Sequence, residues 1–264
     1  MKVKNYIWGA FVALATLAGC DEVDEQDRFI SMGKVEVKRK VLLEDFTGQL
    51  CSNCPKAHEV INNLKAQYGD TVVAVSIHAT SVFGIPESTS PMGLMLPEGD
   101  VYLSQWADPG NVSLPTGVLN RKGGLCDYSK WSSGVRSALA EDSDVELKLE
   151  AVSMVGEDSI VIRVHLASGA TRNAKLQLWV TENGVESIQS FPDHVNPQYV
   201  HSHVYRGAVN GVGGEDVVLQ QNIPSDLERG VRMKPNWKPE NLSVVGFIYT
   251  IADGVLQVEE CKVK

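Results

Sequence analysis

The sequence predicts an α/β domain followed by an all-β sandwich. Two observations carry the first half. An apolar run, Val41-Leu42-Leu43 with Phe46, precedes Cys51-Ser52-Asn53-Cys54, and Ala57, Val60, Ile61, Leu64 and Tyr68 then recur at helical spacing. Next comes Thr71-Val72-Val73-Ala74-Val75-Ser76-Ile77, continuously apolar and β-branched as in a parallel strand buried on both faces. The third observation is a change of character near Glu141-Asp142-Ser143, beyond which short alternating strands are punctuated by turn residues.

Taken in order, a strand is expected over about 39–46, then a helix from the cysteine pair to Gly69-Asp70, a pair of residues that ends helices. The strand over 71–77 closes a βαβ unit. Residues 79–112 are rich in Pro, Gly and Ser, with a short helical piece near 99–106 around Val101, Leu103 and Trp106. Leu114 to Arg121 reads as a strand entered through Pro115, Lys122-Gly123-Gly124 as a turn, and Trp131, Val135, Ala138 and Leu139 as an amphipathic helix near 129–141. Downstream, strands are expected at 145–152, 159–166, 175–181, 200–204, 217–220, 242–251 and 256–261, a spacing that favours an antiparallel, immunoglobulin-like sandwich. Trp179 is expected in its core, and the four glycines between Gly207 and Gly214 form a hairpin or loop without the lysine of a phosphate loop.

The chain start carries an address. Lys2 and Lys4 precede an apolar stretch from Tyr6 to Ala18, a charged and then a hydrophobic region too short to span a membrane comfortably. It ends Leu17-Ala18-Gly19-Cys20, which resembles a bacterial lipoprotein signal, and that resemblance implies cleavage before Cys20 and lipidation of its thiol. The acidic run Asp21, Glu22, Asp24, Glu25 and Asp27 follows as a solvated tether. The expected division is therefore residues 1–19 as signal, 20–34 as tether, 35–142 as the α/β domain and 143–264 as the sandwich.

Charge and cysteine count narrow the function. The formal charge is −9, and removing residues 1–19 takes away Lys2 and Lys4 but no acid, giving −11. Such a surface is a poor partner for nucleic acid or anionic lipid, so attachment rests on a lipid at Cys20. Of five cysteines, lipidation of Cys20 leaves four. Cys51 and Cys54 form the local pair, and a Cys126–Cys261 bridge is expected from the remainder, with two buried free thiols as the alternative.

The stretch from Val41 to Lys56, together with Pro115, resembles a thioredoxin fold. That resemblance implies a buried carboxylate at Asp45, six residues before Cys51, and a cis proline at Pro115 facing the disulfide. The whole mature chain further resembles a family of small, 28-kDa outer-membrane-protein-related lipoproteins of Bacteroidetes-type bacteria. Glu44-Asp45-Phe46-Thr47-Gly48, Pro115 to Arg121, and Tyr199-Val200-His201-Ser202-His203-Val204 carry it. It implies a thioredoxin-like domain joined to a β-rich one, at the cell envelope in the outer membrane. The chain departs from working thioredoxins: Leu50 precedes Cys51, Ser52-Asn53 separates the cysteines, and the strand over 71–77 has no lysine to pair with Asp45.

If the resemblance extends to chemistry, Cys51 at a helix start attacks a substrate disulfide, Cys54 resolves the mixed disulfide, Asp45 accepts a proton from Cys54 and Pro115 presents backbone to a bound peptide. Three readings of the cysteine pair compete: a cycling dithiol, a static disulfide and a zinc site. Zinc lacks a second ligand pair, since Cys126 and Cys261 are isolated and His58 is expected to face solvent. His201 and His203, two apart on an expected strand and near His194, suggest a metal site or, more plainly, a polar edge. No cofactor is expected. The partners are exported proteins with thiols or disulfides, or, for a redox-inactive binding or adhesion module, an unknown surface ligand.

Overall fold

A computed structural model describes residues 35, 37–154, 156 and 158–264. The signal segment, the acidic tether and Cys20 lie outside the described residues. After a two-residue strand β1 (Val37–Lys38), strand β2 (Val41–Thr47) is buried along its whole length. Helix α1 (Cys54–Tyr68) starts on a cysteine with Pro55 in its first turn, where a missing N–H costs nothing. Its apolar stripe of Ala57, Ile61 and Leu64 packs on Val41, Leu43, Val72 and Ala74. Strand β3 (Val72–His78) then runs parallel to β2, with Val41 opposite Val72 and Thr47 opposite His78.

Helix α2 (Pro97–Ser104) leads to β4 (Thr116–Leu119), which lies antiparallel on β2 with Gly117 opposite Asp45. Strand β5 (Lys122–Cys126) follows, and helix α3 (Trp131–Ala138) packs beside α1. The turn expected at Lys122-Gly123-Gly124 falls one step earlier. Asn120 and Arg121 take φ of 49° and 52° between the paired residues Leu119 and Lys122. Two left-handed residues suit the twist of a tight hairpin. Here the turn carries Arg121 inward to an ion pair with Glu44, which a turn at the glycines would not do.

The second half is strands throughout: β6 (Asp142–Ser143), β7 (Val145–Met154), β8 (Ser159–Ser168), β9 (Arg172–Glu182), β10 (Val185–Ser190), β11 (Val195–His201), β12 (Val204–Ala208), β13 (Glu215–Leu219), β14 (Ser225–Arg232), β15 (Leu242–Thr250) and β16 (Gly254–Lys262). A nine-stranded sheet has the order β16-β15-β9-β12-β3-β2-β4-β5, with β13 also on β9. A three-stranded sheet, β14-β8-β7, contributes to a second core: Leu147, Leu149, Ile162 and Val164 meet Leu176, Leu178, Val244 and Ile248. Strands β10 and β11 form a separate two-stranded ribbon.

The expected α/β thioredoxin-like domain followed by a separate all-β immunoglobulin-like sandwich is not what the chain forms. Strand accounts for 50% of the described residues against 19% for helix, and the main sheet draws strands from both halves of the sequence. Val204 of β12 pairs parallel with Ser76 of β3, and the Ser76 amide donates to the His203 carbonyl at 2.8 Å. The physical reason lies in β3. Its residues are buried on both faces, yet in a unit ending at residue 142 its outer edge would be unpaired. Strand β12 supplies the missing partners. One core results: Trp179, Tyr205, Phe247 and Val258 share a buried cluster with Phe46, Ile77, Cys51 and Cys54. Trp179 therefore packs in the core beside the cysteine pair rather than in a sandwich of its own.

The strand expected over 200–204 is two strands. His203 turns the chain with φ 58°, ending β11 at His201 and starting β12 at Val204. Strands β10 and β14 escape the sequence pattern. In β14 only Leu227 and Val231 are apolar side chains, set among Asp226, Glu228, Arg229 and Arg232, a charged edge strand with little apolar signature.

Candidate functional site

Cys51 and Cys54 form a disulfide with Cα atoms 5.4 Å apart. A tight turn sets the pair: the Cys51 amide donates to the Gly48 carbonyl at 3.1 Å, and the Leu50 amide to the Phe83 carbonyl at 2.8 Å. Gly48 is required here, because a Cβ would stand 2.5 Å from the Phe83 oxygen. The Leu114–Pro115 bond is cis, and Leu114 lies in the same buried cluster as both cysteines.

The ribbon shuts this site. Gln189 on β10 donates its side-chain amide to the Cys51 carbonyl at 2.9 Å, and the Ser190 amide donates to the Gln49 carbonyl at 2.7 Å. The Gln49 side chain in turn donates to Ser187 Oγ at 2.6 Å and accepts from the Leu94 amide at 3.0 Å. Cys51 is left 2% exposed and Cys54 0%, while the neighbouring Leu50 is 43% exposed. The chain surface passes the disulfide without opening onto it.

Behind the disulfide lies a polar chamber. Asp45 is completely buried, accepts from Ser76 Oγ at 3.3 Å, and has its other oxygen without a donor. Burial pushes its carboxyl up to about 8, against a lowering pull from the Ser76 hydrogen bond. No lysine meets Asp45 among the described residues; beside the Ser76 hydroxyl stands His58, whose Nε2 lies 3.8 Å from Asp45 and 3.1 Å from Thr47 Oγ1. His58 does not face solvent as its helical position suggests. The ribbon covers it, and Tyr199 OH meets its Nδ1 at 2.9 Å. His201 packs on Tyr199 and on His78, ring centroids 4.8 and 5.4 Å apart. Burial holds His58 down to about 3 and His201 to about 4, so both are neutral near pH 7.

The other expected sites separate. Cys126 and Cys261 are free thiols, not a bridge. They sit on β5 and β16 and pack into different hydrophobic clusters, Cys126 with helices α1 and α3 and Cys261 with β7 and β8. His201 and His203 do not share a strand face, because the chain turns between them, and His194 stacks on Phe191 with ring centroids 4.7 Å apart. Among the described residues no group of three or more metal-ligating side chains converges. Sequence reasoning missed Gln189, Tyr199 and His78 as parts of the site. The motif Tyr199 to Val204 marked the right segment, but Gln189 stands 138 residues from Cys51 and carries no local signal.

Residues 101–264 match the family described as "Outer membrane protein Omp28". No curated protein matches the chain. Among solved structures, HBP35 of Porphyromonas gingivalis is similar with a TM-score of 0.68 and 16% identity, over 86% of this chain and 76% of that one. A protein of Agrobacterium tumefaciens is similar with a TM-score of 0.52 and 16% identity, over 85% and 94%. Both likenesses concern the fold alone. A domain of the outer membrane lipoprotein Omp28 from Porphyromonas gingivalis matches 46% of this chain and 89% of its own length, at 22% identity and a TM-score of 0.34.

Proposed function

The chain belongs to the Omp28 outer membrane protein family, and on that premise we propose that it is a lipid-anchored binding module of the cell envelope whose Cys51–Cys54 disulfide is a fixed staple. One observation carries the reading: neither sulfur is presented to a partner, with Cys51 at 2% and Cys54 at 0% exposure beneath the β10–β11 ribbon. Thiol–disulfide exchange requires in-line approach of one sulfur to another, and reactive cysteines are correspondingly accessible.

Anchoring follows from Cys20, where a lipid would hold the domain through the acidic tether. The net charge of −11 in the mature chain leaves no basic face to do so. The rival reading is exchange with exported proteins, in which Cys51 attacks, Cys54 resolves, Asp45 takes the proton and Pro115 presents backbone.

Purified residues 21–264 decide between them in an insulin-reduction assay with dithiothreitol. The binding module gives the rate of dithiothreitol alone, for the natural chain and for Cys51→Ser equally. A rate above that baseline, lost in Cys51→Ser, overturns it. Metabolic labelling with a fatty acid tests the anchor; incorporation that survives Cys20→Ala would exclude it.

A further inference from the structure

A cavity of about 420 Å³ opens on the side of the main sheet where three distant segments meet: the end of α2, the β4–β5 turn and the β15–β16 hairpin. Volumes of this size accept small ligands. Trp106 and Tyr249 contribute aromatic walls, Arg121 the floor, and Lys122, Gln105 and Thr250 polar margins. The residues lining it include two cations and no carboxylate, on a chain whose net charge is −9.

Its floor is built rather than incidental. The Arg121 guanidinium lies 4.7 Å from the Phe247 ring centroid and 4.8 Å from that of Tyr249, and Nε donates to Glu44 at 2.6 Å. Arg121 is 91% buried by its 9% exposure, yet its Nη2 meets no acceptor in the protein. The Trp106 indole Nε1 likewise has none. Both donors are sealed beneath the cavity wall, so the exposed Lys122 is the cation that a ligand meets directly, with the Trp106 and Tyr249 rings beside it. Glu44 already offsets the Arg121 charge, so Lys122 supplies the net positive charge. Asp253, in the β15–β16 hairpin, is engaged within its own turn by Thr250 Oγ1 at 2.9 Å.

We propose that this cavity binds a compact carboxylate-bearing ligand with one flat or apolar face, the carboxylate turned toward Lys122 and the body against Trp106 and Tyr249. The inference rests on the binding-module reading and names its ligand chemistry. Aromatic acids and acidic sugars share that chemistry, since both offer a stackable face beside a carboxylate.

The test is a titration of ¹⁵N-labelled residues 21–264 followed by the Trp106 indole N–H resonance, assigned by its loss in Trp106→Phe. Benzoate and its neutral analogue benzamide form one arm; glucuronate and glucose form the other. The expected result is a saturable Trp106 shift for at least one carboxylate, with a dissociation constant of roughly 1 mM for so small a ligand. Its neutral counterpart should bind at least about tenfold more weakly, and Lys122→Gln, at an exposed position, should remove most of that difference, whereas Lys148→Gln should change nothing. The arm that responds identifies the body of the ligand. Absence of a Trp106 shift with both carboxylates, or equal binding of acid and neutral analogue, overturns the proposal. Neither result touches the disulfide, whose role the insulin assay reads separately.

Discussion

Gln189 on the ribbon donates its amide to the main-chain oxygen of Cys51 at 2.9 Å, across 138 residues of sequence. The same amide lies 3.4 Å from the Gly48 carbonyl, so one side chain ties the ribbon to both ends of the turn that sets the disulfide. Replacing it by leucine leaves buried carbonyls unanswered, at a cost of about 1–3 kcal/mol. Gln189→Leu should lower the midpoint of urea unfolding and speed reduction of the native disulfide by dithiothreitol. An unchanged reduction rate would show that the ribbon does not guard the sulfurs.

Asp45 and the histidines behind it give stability two opposed slopes in pH. Asp45 is raised from 3.8 to about 8, so the folded chain holds its proton more tightly than the unfolded chain. That contribution is full below pH 3.8 and is lost as pH rises to about 8. His58 and His201, lowered from 6.5 to about 3 and about 4, act in the other direction. Their neutral burial favours the fold above pH 6.5 and loses ground as pH falls toward 4. Each group contributes a limiting slope of about 1.4 kcal/mol per pH unit in its window. The melting temperature should therefore peak near pH 6 to 7, roughly where the histidine slope ends. Asp45→Asn should flatten the alkaline side of that profile and steepen the acid side between pH 4 and 6.5, where the Asp45 slope opposes the histidines, as calorimetry at pH 5, 6.5 and 8 would show.

Arg121 and Glu44 form a buried pair at 2.6 Å, with side chains 5% and 1% exposed. Removing one partner strands the other charge in the core. Arg121→Met should cost about 3–5 kcal/mol, whereas the double replacement with Glu44→Leu should recover a large part of it. Chemical denaturation of the two single variants and the double variant completes the cycle. Additive losses would mean that the pair does not act as one.

Gly48 has no room for a methyl group, with Phe83 oxygen and Cβ at 2.5 and 2.7 Å from where it would go. Gly48→Ala should displace the 80–84 segment and destabilise the fold by roughly 1–3 kcal/mol. Gly213, where nothing lies within 4 Å, is the control, and Gly213→Ala should be nearly silent in the same thermal melts.

Cys126 and Cys261 are free thiols in different hydrophobic clusters. Denatured but unreduced residues 21–264 should therefore release two titratable thiols, and four after reduction. In the native state Cys261 should alkylate more slowly than an ordinary thiol, because burial first, and then Glu259 and Glu260, push it up to about 12. Finding no thiols before reduction would restore the bridge.

Local signals located much of the site. Helical spacing after Cys54, the β-branched run over 71–77 and the left-handed break at Gly69 are readable because neighbours along the chain decide them. Asp45 and Pro115 were singled out by resemblance, and the former is the buried carboxylate and the latter the cis proline of the structure. His58 shows the limit. Its helical position assigns it to solvent, yet Tyr199 buries it from 141 residues away.

The sequence by itself determined the cysteine pair at a helix start, the βαβ unit and the strand-rich second half, because those depend on periodicity and on short-range turn chemistry. It takes the folded chain to put β12 on the open edge of β3, to seal Cys51 beneath the ribbon and to leave Cys126 and Cys261 unbridged. Each of these is a pairing between segments far apart in the chain. Which edge pairs with which is set by the total backbone hydrogen bonding and apolar burial of the finished sheet, a quantity that no local window contains.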